Sequence, residues 1–258
     1  MPQADLCGGC GKSVALCECG KTQLARRGGI VRSGQIEQQN RIVACAGRKG
    51  SGKSTLAREL LSHSKRLFVY DTMGEHRWIP DSFEEQDQAV MYLMESFTYP
   101  EFMARYVPET DDEEADFSEI CNVVYEQGNM LFGIEEVVML GCSPGYAPPK
   151  FKRLMRLGRH RNVDMLYTTQ RLGECPRALT AATDVFILFA HSEPRDLERI
   201  SERCGPEVAR LVAGFQDHQF LIWDVNQKKT TSVVDAGAML IPVDQPELIQ
   251  PKQRQITA

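Results

Sequence analysis

The chain has 258 residues, 25% of them charged and 42% hydrophobic, with a formal net charge of −5; this suits one large α/β domain plus a small appendage, or two modest domains. The acidic balance argues against a protein that coats DNA through a broad basic surface, and leaves room for local contacts such as those in the bore of a ring. No apolar run is long enough to span a membrane, and the opening MPQADLCGGC lacks the basic-then-apolar pattern of a signal peptide.

Residues 1–39 form a separate zone rich in Gly, Cys, Lys, Arg and Gln, read as a cysteine knuckle followed by a linker. Cys7, Cys10, Cys17 and Cys19 can supply four thiolates to one structural Zn²⁺. A reduced, metal-free tail fits the same residues, because the second pair is C-x-C and the spacer between the pairs is short. The other five cysteines, Cys45, Cys121, Cys142, Cys175 and Cys204, have no ligand-like spacing. An odd count of nine with no export signal points to a reducing, cytoplasmic setting.

The main domain is expected over 40–241, with 242–258 as a surface or docking tail. RIVACA (41–46) reads as a buried strand and 53–62 as a helix, with RLFVY (66–70) a second strand closed by Asp71. Strand, glycine loop, helix, strand is the opening of a mostly parallel α/β sheet. A helix is expected over 84–96, a strand over 102–107, an acidic turn or helix start over 108–116, and a helix on to Gly128. A hydrophobic strand follows within 129–140, then a loop (141–149), a basic amphipathic helix (151–161) and a strand (163–169). After a turn-rich connector come a strand (184–190), helices (194–203 and 206–212) and two terminal strands (218–225 and 230–235).

Gly47-Arg48-Lys49-Gly50-Ser51-Gly52-Lys53-Ser54, with Thr55 beside it, is a phosphate-binding loop in its proper setting, after a strand and before a helix. Glycines let the backbone N–H groups curl around phosphates, Lys53 reaches the β- and γ-phosphates, and Ser54 can ligate Mg²⁺. ATP and Mg²⁺ are the cofactors expected. The strand MLFGI delivers Glu135 and Glu136 at its C-terminal end, where parallel sheets place their sites. Glu135 is read as facing the metal through water and Glu136 as polarising the attacking water. Asp71 is a weaker candidate for the same cleft, and Asp224 is read as structural or exposed. In LMRLGRHRNVDMLYTTQR (154–171), Gln170 can sense the γ-phosphate. Arg156, Arg159, His160, Arg161 and Arg171 lie close in sequence as a basic cluster. Arg159, then Arg156, is the favoured arginine finger for a neighbouring subunit, and His160 is read as a surface histidine.

These ordered elements together resemble the FtsK–HerA superfamily of ring-forming DNA-pumping ATPases. The resemblance covers about 41–225 and includes RALTAATDVFILFAHSEPRDLERISERCGPEVARLVAGFQDHQFLIWD as the final core segment. It implies a RecA-like P-loop fold with an additional strand and a catalytic glutamate. It also implies ATP sites between subunits of a ring, a hexamer in the favoured form, with double-stranded DNA in its channel. On these positions it assigns Lys53 and Ser54 to nucleotide and metal, Glu135 and Glu136 to the Mg²⁺–water end, Gln170 to sensing and Arg159 to activation in trans. The family's usual Asp-Glu pair is Glu-Glu here. Within the superfamily the chain is similar to the genome-packaging ATPases of tailless double-jelly-roll viruses with internal membranes. That implies the host cytoplasm, a virion vertex, and capsid or portal-vertex partners. A conjugation, defence, regulatory or assembly ATPase acting on protein partners stays open. A phosphotransferase fits less well, since no lid-like arginine run marks an acceptor pocket.

Overall fold

The computed structural model describes residues 40–110, 112–226 and 229–235, the last of these as backbone only. The proposed zinc cysteines Cys7, Cys10, Cys17 and Cys19, and the tail 242–258, lie outside the described residues.

The frame is a nine-stranded sheet among the described residues, in the order β3-β4-β2-β5-β6-β1-β7-β8-β9. Its strands are β1 (Ile42–Ala46), β2 (Arg66–Tyr70), β3 (Asp81–Phe83), β4 (Phe102–Tyr106), β5 (Met130–Ile134), β6 (Val163–Thr169), β7 (Val185–Phe189), β8 (Gln219–Asp224) and β9 (Lys229–Asp235). All neighbours from β3 to β7 pair parallel. The β7–β8 and β8–β9 pairs are antiparallel. Every residue of β1, β2, β5, β6 and β7 is buried, as expected where a parallel sheet is covered on both faces.

Alternation along β1 divides the core. Val43 and Cys45 pack with Leu56, Ala57, Leu60 and Leu61 of α1 (Lys53–Ser62) on one face. Ile42, Ala44 and Ala46 face the larger cluster on the other. Among the described residues, six helices stand on that second face: α2 (Gln86–Glu95), α3 (Glu113–Gln127), α4 (Pro149–Leu157), α5 (Arg177–Ala182), α6 (Pro194–Cys204) and α7 (Pro206–Ala213). The acidic segment before α3 is its start signal: Asp112 Oδ1 accepts from Ala115 N at 3.1 Å, and Glu113, Glu114 and Asp116 fill the first turn. The entry to β1 is held by two aspartates, buried Asp164 and half-buried Asp184, with Arg41 N donating to Asp164 Oδ1 at 2.6 Å and Ile42 N to Asp184 Oδ2 at 3.0 Å. Asp224 is structural rather than exposed: it is 1% exposed and faces Arg41 Nη1 at 3.8 Å.

Several boundaries differ from the expectation. The basic helix starts earlier, at Pro149, because proline suits a first helical position whose N–H needs no partner. It ends at Leu157, and Gly158–Arg161 tightens into a 3-10 turn that reverses through Asn162 at φ 56° into β6. The strand within 129–140 stops at Ile134 and is followed by a 3-10 turn, Val137–Met139. The turn-rich connector after Gln170 contains α5, and the edge strand β3 arises where no strand was expected.

Candidate nucleotide site

The phosphate loop hangs between two strand ends. Gly47 N donates to Thr169 O and Arg48 N to Ala190 O, both at 3.1 Å, so the loop is tied to the exits of β6 and β7. A Cβ on Gly47 would fall 2.5 Å from Phe189 Cβ, which explains why that first position must be glycine. Gly52, at φ 98°, makes the left-handed entry to α1. Lys53 is buried, and its Nζ donates to Arg48 O at 3.1 Å, so the amine already lies across the loop that would wrap phosphate. Burial lowers its pKa, while Cys45, Glu136, Glu75 and Glu135 act to raise it. Ser54 and Thr55 are exposed on the first turn, and Arg48 pairs at 2.6 Å with Asp217 on the surface. Lys49 and Gly50 are exposed at the loop tip, and Ser51 is buried.

Strand β6 lies between the loop strand β1 and the carboxylate strand β5. The additional strand expected from the resemblance is therefore present. At the end of β5 the chain sends two successive carboxylates to opposite sides. Glu135 N donates to Tyr70 O of β2 at 3.0 Å. Glu136 N donates instead to Thr168 Oγ1 of β6 at 3.0 Å. Between these bonds the backbone turns left-handed, with Glu136 at φ 46° and ψ 60°, a conformation costing about 1 kcal/mol for a residue with a side chain. Glu136 Oε1 accepts from Gln170 N at 2.9 Å, so the additional strand both spaces and orients it.

Glu135 lies in a buried group formed by the connection from β2 to β3. Ligand atoms of Asp71, His76 and Glu135 lie within 4.8 Å of one another. Burial works to raise the Asp71 pKa, but hydrogen bonds with Glu135, Arg105 and the His76 backbone outweigh it and hold the carboxyl low. Burial, then Asp71, push the Glu135 carboxyl up to about 9. The buried pair therefore shares one negative charge near neutrality. Glu135 Oε2 is a buried oxygen with no hydrogen-bond partner among the described residues, and with the exposed Ser54 hydroxyl it offers the oxygen donors that a hard Mg²⁺ ion takes. Burial also lowers the pKa of His76, leaving its ring neutral.

The structure brings together Lys53, Ser54, Thr55, Glu135, Glu136 and Gln170 at the C-terminal ends of β1, β5 and β6. It does not unite the arginines. Arg156, Arg159, His160 and Arg161 precede β6, and Arg171 follows it, so the strand holds them roughly 20 Å apart. Arg171 faces Glu174, Glu193 and Asp196. Arg161 binds the carbonyls of Tyr125 and Glu126. Arg159 and His160 are exposed. Sequence reasoning missed His76, Glu75, Arg105, Thr168 and His191. His191 is buried beside the loop with Nδ1 2.9 Å from Phe189 O. The polar run after RLFVY was the available signal for the first two. Nothing local marks Arg105, which meets Asp71 at 2.8 Å only through the β2–β4 pairing.

The genome packaging NTPase B204 from Sulfolobus turreted icosahedral virus 2, in complex with AMPPCP, superposes with a TM-score of 0.60 at 21% identity, over 76% of this chain and 97% of that one. B204, the DNA-packaging ATPase from Sulfolobus turreted icosahedral virus, gives 0.61 at 20% identity over 76% and 98%. The chain shares the B204 fold. VirB4 of Thermoanaerobacter pseudethanolicus is more distant, at 0.54 and 10% identity over 78% and 91%. No protein-family model and no curated protein matches the sequence. The resemblance drawn from the ordered motifs is borne out at the level of the fold. Among the described residues, no helix is long and apolar enough to cross a membrane.

Proposed function

We propose that this chain is an ATP-hydrolysing motor that moves double-stranded DNA as a ring, in the manner of a viral genome-packaging ATPase. The observation that carries the reading is Glu136, held by Gln170 N and Thr168 Oγ1 at the end of β5, one strand away from the phosphate loop. That is the place for a base acting on water rather than for an acceptor pocket. The likeness to B204, a genome packaging NTPase, supports the packaging role.

In this reading Lys53 leaves the Arg48 carbonyl for the β- and γ-phosphates, and the backbone N–H groups of 47–52 enclose them. Ser54 and Glu135 would hold Mg²⁺, Glu135 through water, and the ion would supply charge neutralisation on the phosphates. Glu136 draws a proton from the attacking water, and the Gln170 side chain links the γ-phosphate to β6. Arg159 lies at the opposite end of β6 from its own loop, so it serves a neighbour in a head-to-tail ring, with a hexamer favoured. Arg156 is the alternative finger. A Zn²⁺ knuckle at Cys7, Cys10, Cys17 and Cys19 would be an adaptor for DNA, capsid or a portal vertex. The working place would be the host cytoplasm and the virion vertex.

The test is steady-state ATP hydrolysis with and without long double-stranded DNA, using Glu136→Gln as the control. Stimulation by DNA that disappears in the variant supports the motor. Hydrolysis indifferent to DNA in assembled protein favours a protein-directed ATPase instead.

A further inference from the structure

The loop from β2 to β3 does more than join two strands. His76 is 3% exposed, and Trp78 Nε1 donates to its Nδ1 at 3.3 Å. An indole N–H has only a proton to give, so Nδ1 must carry the lone pair and the neutral ring carries its proton on Nε2. Nε2 faces Glu135 Oε2 at 3.8 Å. That oxygen is buried and has no hydrogen-bond partner among the described residues.

We infer that His76 is a positioning residue for Glu135, kept in its donating tautomer by Trp78. The present gap is too long for a hydrogen bond, and such contacts commonly tighten once a site is loaded. The loop is built to hold that aim. Asp71 accepts from Glu75 N and His76 N, both at 3.0 Å, and from Arg105 Nη1 at 2.8 Å. Thr72 Oγ1 donates to the Glu135 carbonyl, joining the loop to the end of β5. Arg58 of α1 lies over the Trp78 ring at 5.9 Å, which couples the tautomer-setting indole to the helix that follows the phosphate loop.

The same three side chains could be read as ligands of a transition metal, given their mutual reach. Two observations oppose that. A metal on Nε2 would move the proton to Nδ1, where it would confront the Trp78 N–H. Asp71 already accepts from three donors. The donor role satisfies both groups once the gap closes.

This inference rests on Glu135 serving the metal end, so its test reads metal-dependent binding rather than turnover. A fluorescent ATP analogue is titrated into the full chain at fixed Mg²⁺ concentrations and in EDTA, for wild type, His76→Ala, His76→Gln and Trp78→Phe. Loss of the Nε2 donor should raise the Mg²⁺ concentration for half-maximal enhancement about tenfold, with affinity in EDTA unchanged. His76→Gln retains a donor near Nε2 and should recover most of the loss, and Trp78→Phe should fall between. An unchanged Mg²⁺ requirement in folded His76→Ala and Trp78→Phe proteins overturns the inference. So does stoichiometric Zn²⁺ or Mn²⁺ binding that His76→Ala abolishes. A wild type that binds the analogue with Mg²⁺ but never hydrolyses ATP would sink the proposed motor and leave the His76 result readable.

Discussion

Glu136 Oε1 accepts the backbone N–H of Gln170 at 2.9 Å. The contact joins the candidate base and the candidate sensor, each just past the end of a different strand, as one unit, with no side-chain rotamer of Gln170 spent on it. The Gln170 amide group stays available for a γ-phosphate.

Glu136→Gln should bind nucleotide normally and lose hydrolysis by about 10²- to 10⁴-fold. A binding titration beside a phosphate-release assay checks both halves. Thr168→Val removes the acceptor for the Glu136 N–H and should cost about 1–3 kcal/mol of stability, along with much of the turnover.

Gly47→Ala sets a methyl against Phe189, at 2.5 Å from its Cβ. Overpacking of this kind costs about 1–3 kcal/mol, and relief must come from moving the loop. Nucleotide affinity should fall with stability, as read by thermal unfolding with and without nucleotide. Equal affinity in the variant would mean that the loop end is softer than the packing implies.

Asp116 binds two buried phenols, with Tyr70 Oη donating at 2.6 Å and Tyr106 Oη at 2.8 Å. Asp116→Ala orphans both, so a loss of about 3 kcal/mol is expected. Denaturant unfolding should show it, with Tyr70→Phe and Tyr106→Phe each costing less. The α3–sheet contact also supports the start of the β2–β3 loop, so the damage should reach metal-dependent binding.

The Glu135 carboxyl, ordinarily near 4.5, is pushed up to about 9, by burial first and Asp71 next. Between those values the folded chain keeps a proton that the unfolded chain has released, so stability falls as pH rises through that window. Asp71 acts the other way, but only as pH falls below its ordinary value of 3.8. Glu135→Gln removes the first effect. In metal-free buffer its melting temperature should gain on wild type steadily from about pH 5 to about pH 9. A difference flat across that range would refute the buried-proton account.

Arg159→Ala and Glu136→Gln should each be nearly inactive alone. Mixed before assembly they should regain hydrolysis, because some sites then combine an intact Glu136 with a neighbour's intact Arg159. No recovery, with Arg156→Ala complementing instead, would move the finger to Arg156.

The glycine loop, the strand ending in Glu135-Glu136 and the strand ending at Thr169-Gln170 were legible because each is a local pattern: apolar run, then a polar or glycine stop. The same logic placed the helix Lys53–Ser62 and the strand Arg66–Tyr70 at their observed ends. Local patterns failed where partners are distant. The three-residue strand Asp81–Phe83 has no buried residue and exists because it pairs with β4. Arginines adjacent in sequence were read as one cluster, yet the extended strand between them carries Arg171 to the other end of the sheet.

Taken alone, the sequence determined the phosphate loop, the carboxylate pair and the parallel α/β framework. Their signals lie in hydrophobic runs and in short-range backbone requirements such as glycine at Gly47 and Gly52. Only the tertiary structure decided that β6 separates β1 from β5, that Glu135 and Glu136 point to opposite sides, and that Trp78, His76 and Asp71 close around Glu135. Strand order and side-chain direction depend on which surfaces bury each other across the fold. That is a property of the packed sheet, and no window of sequence contains it.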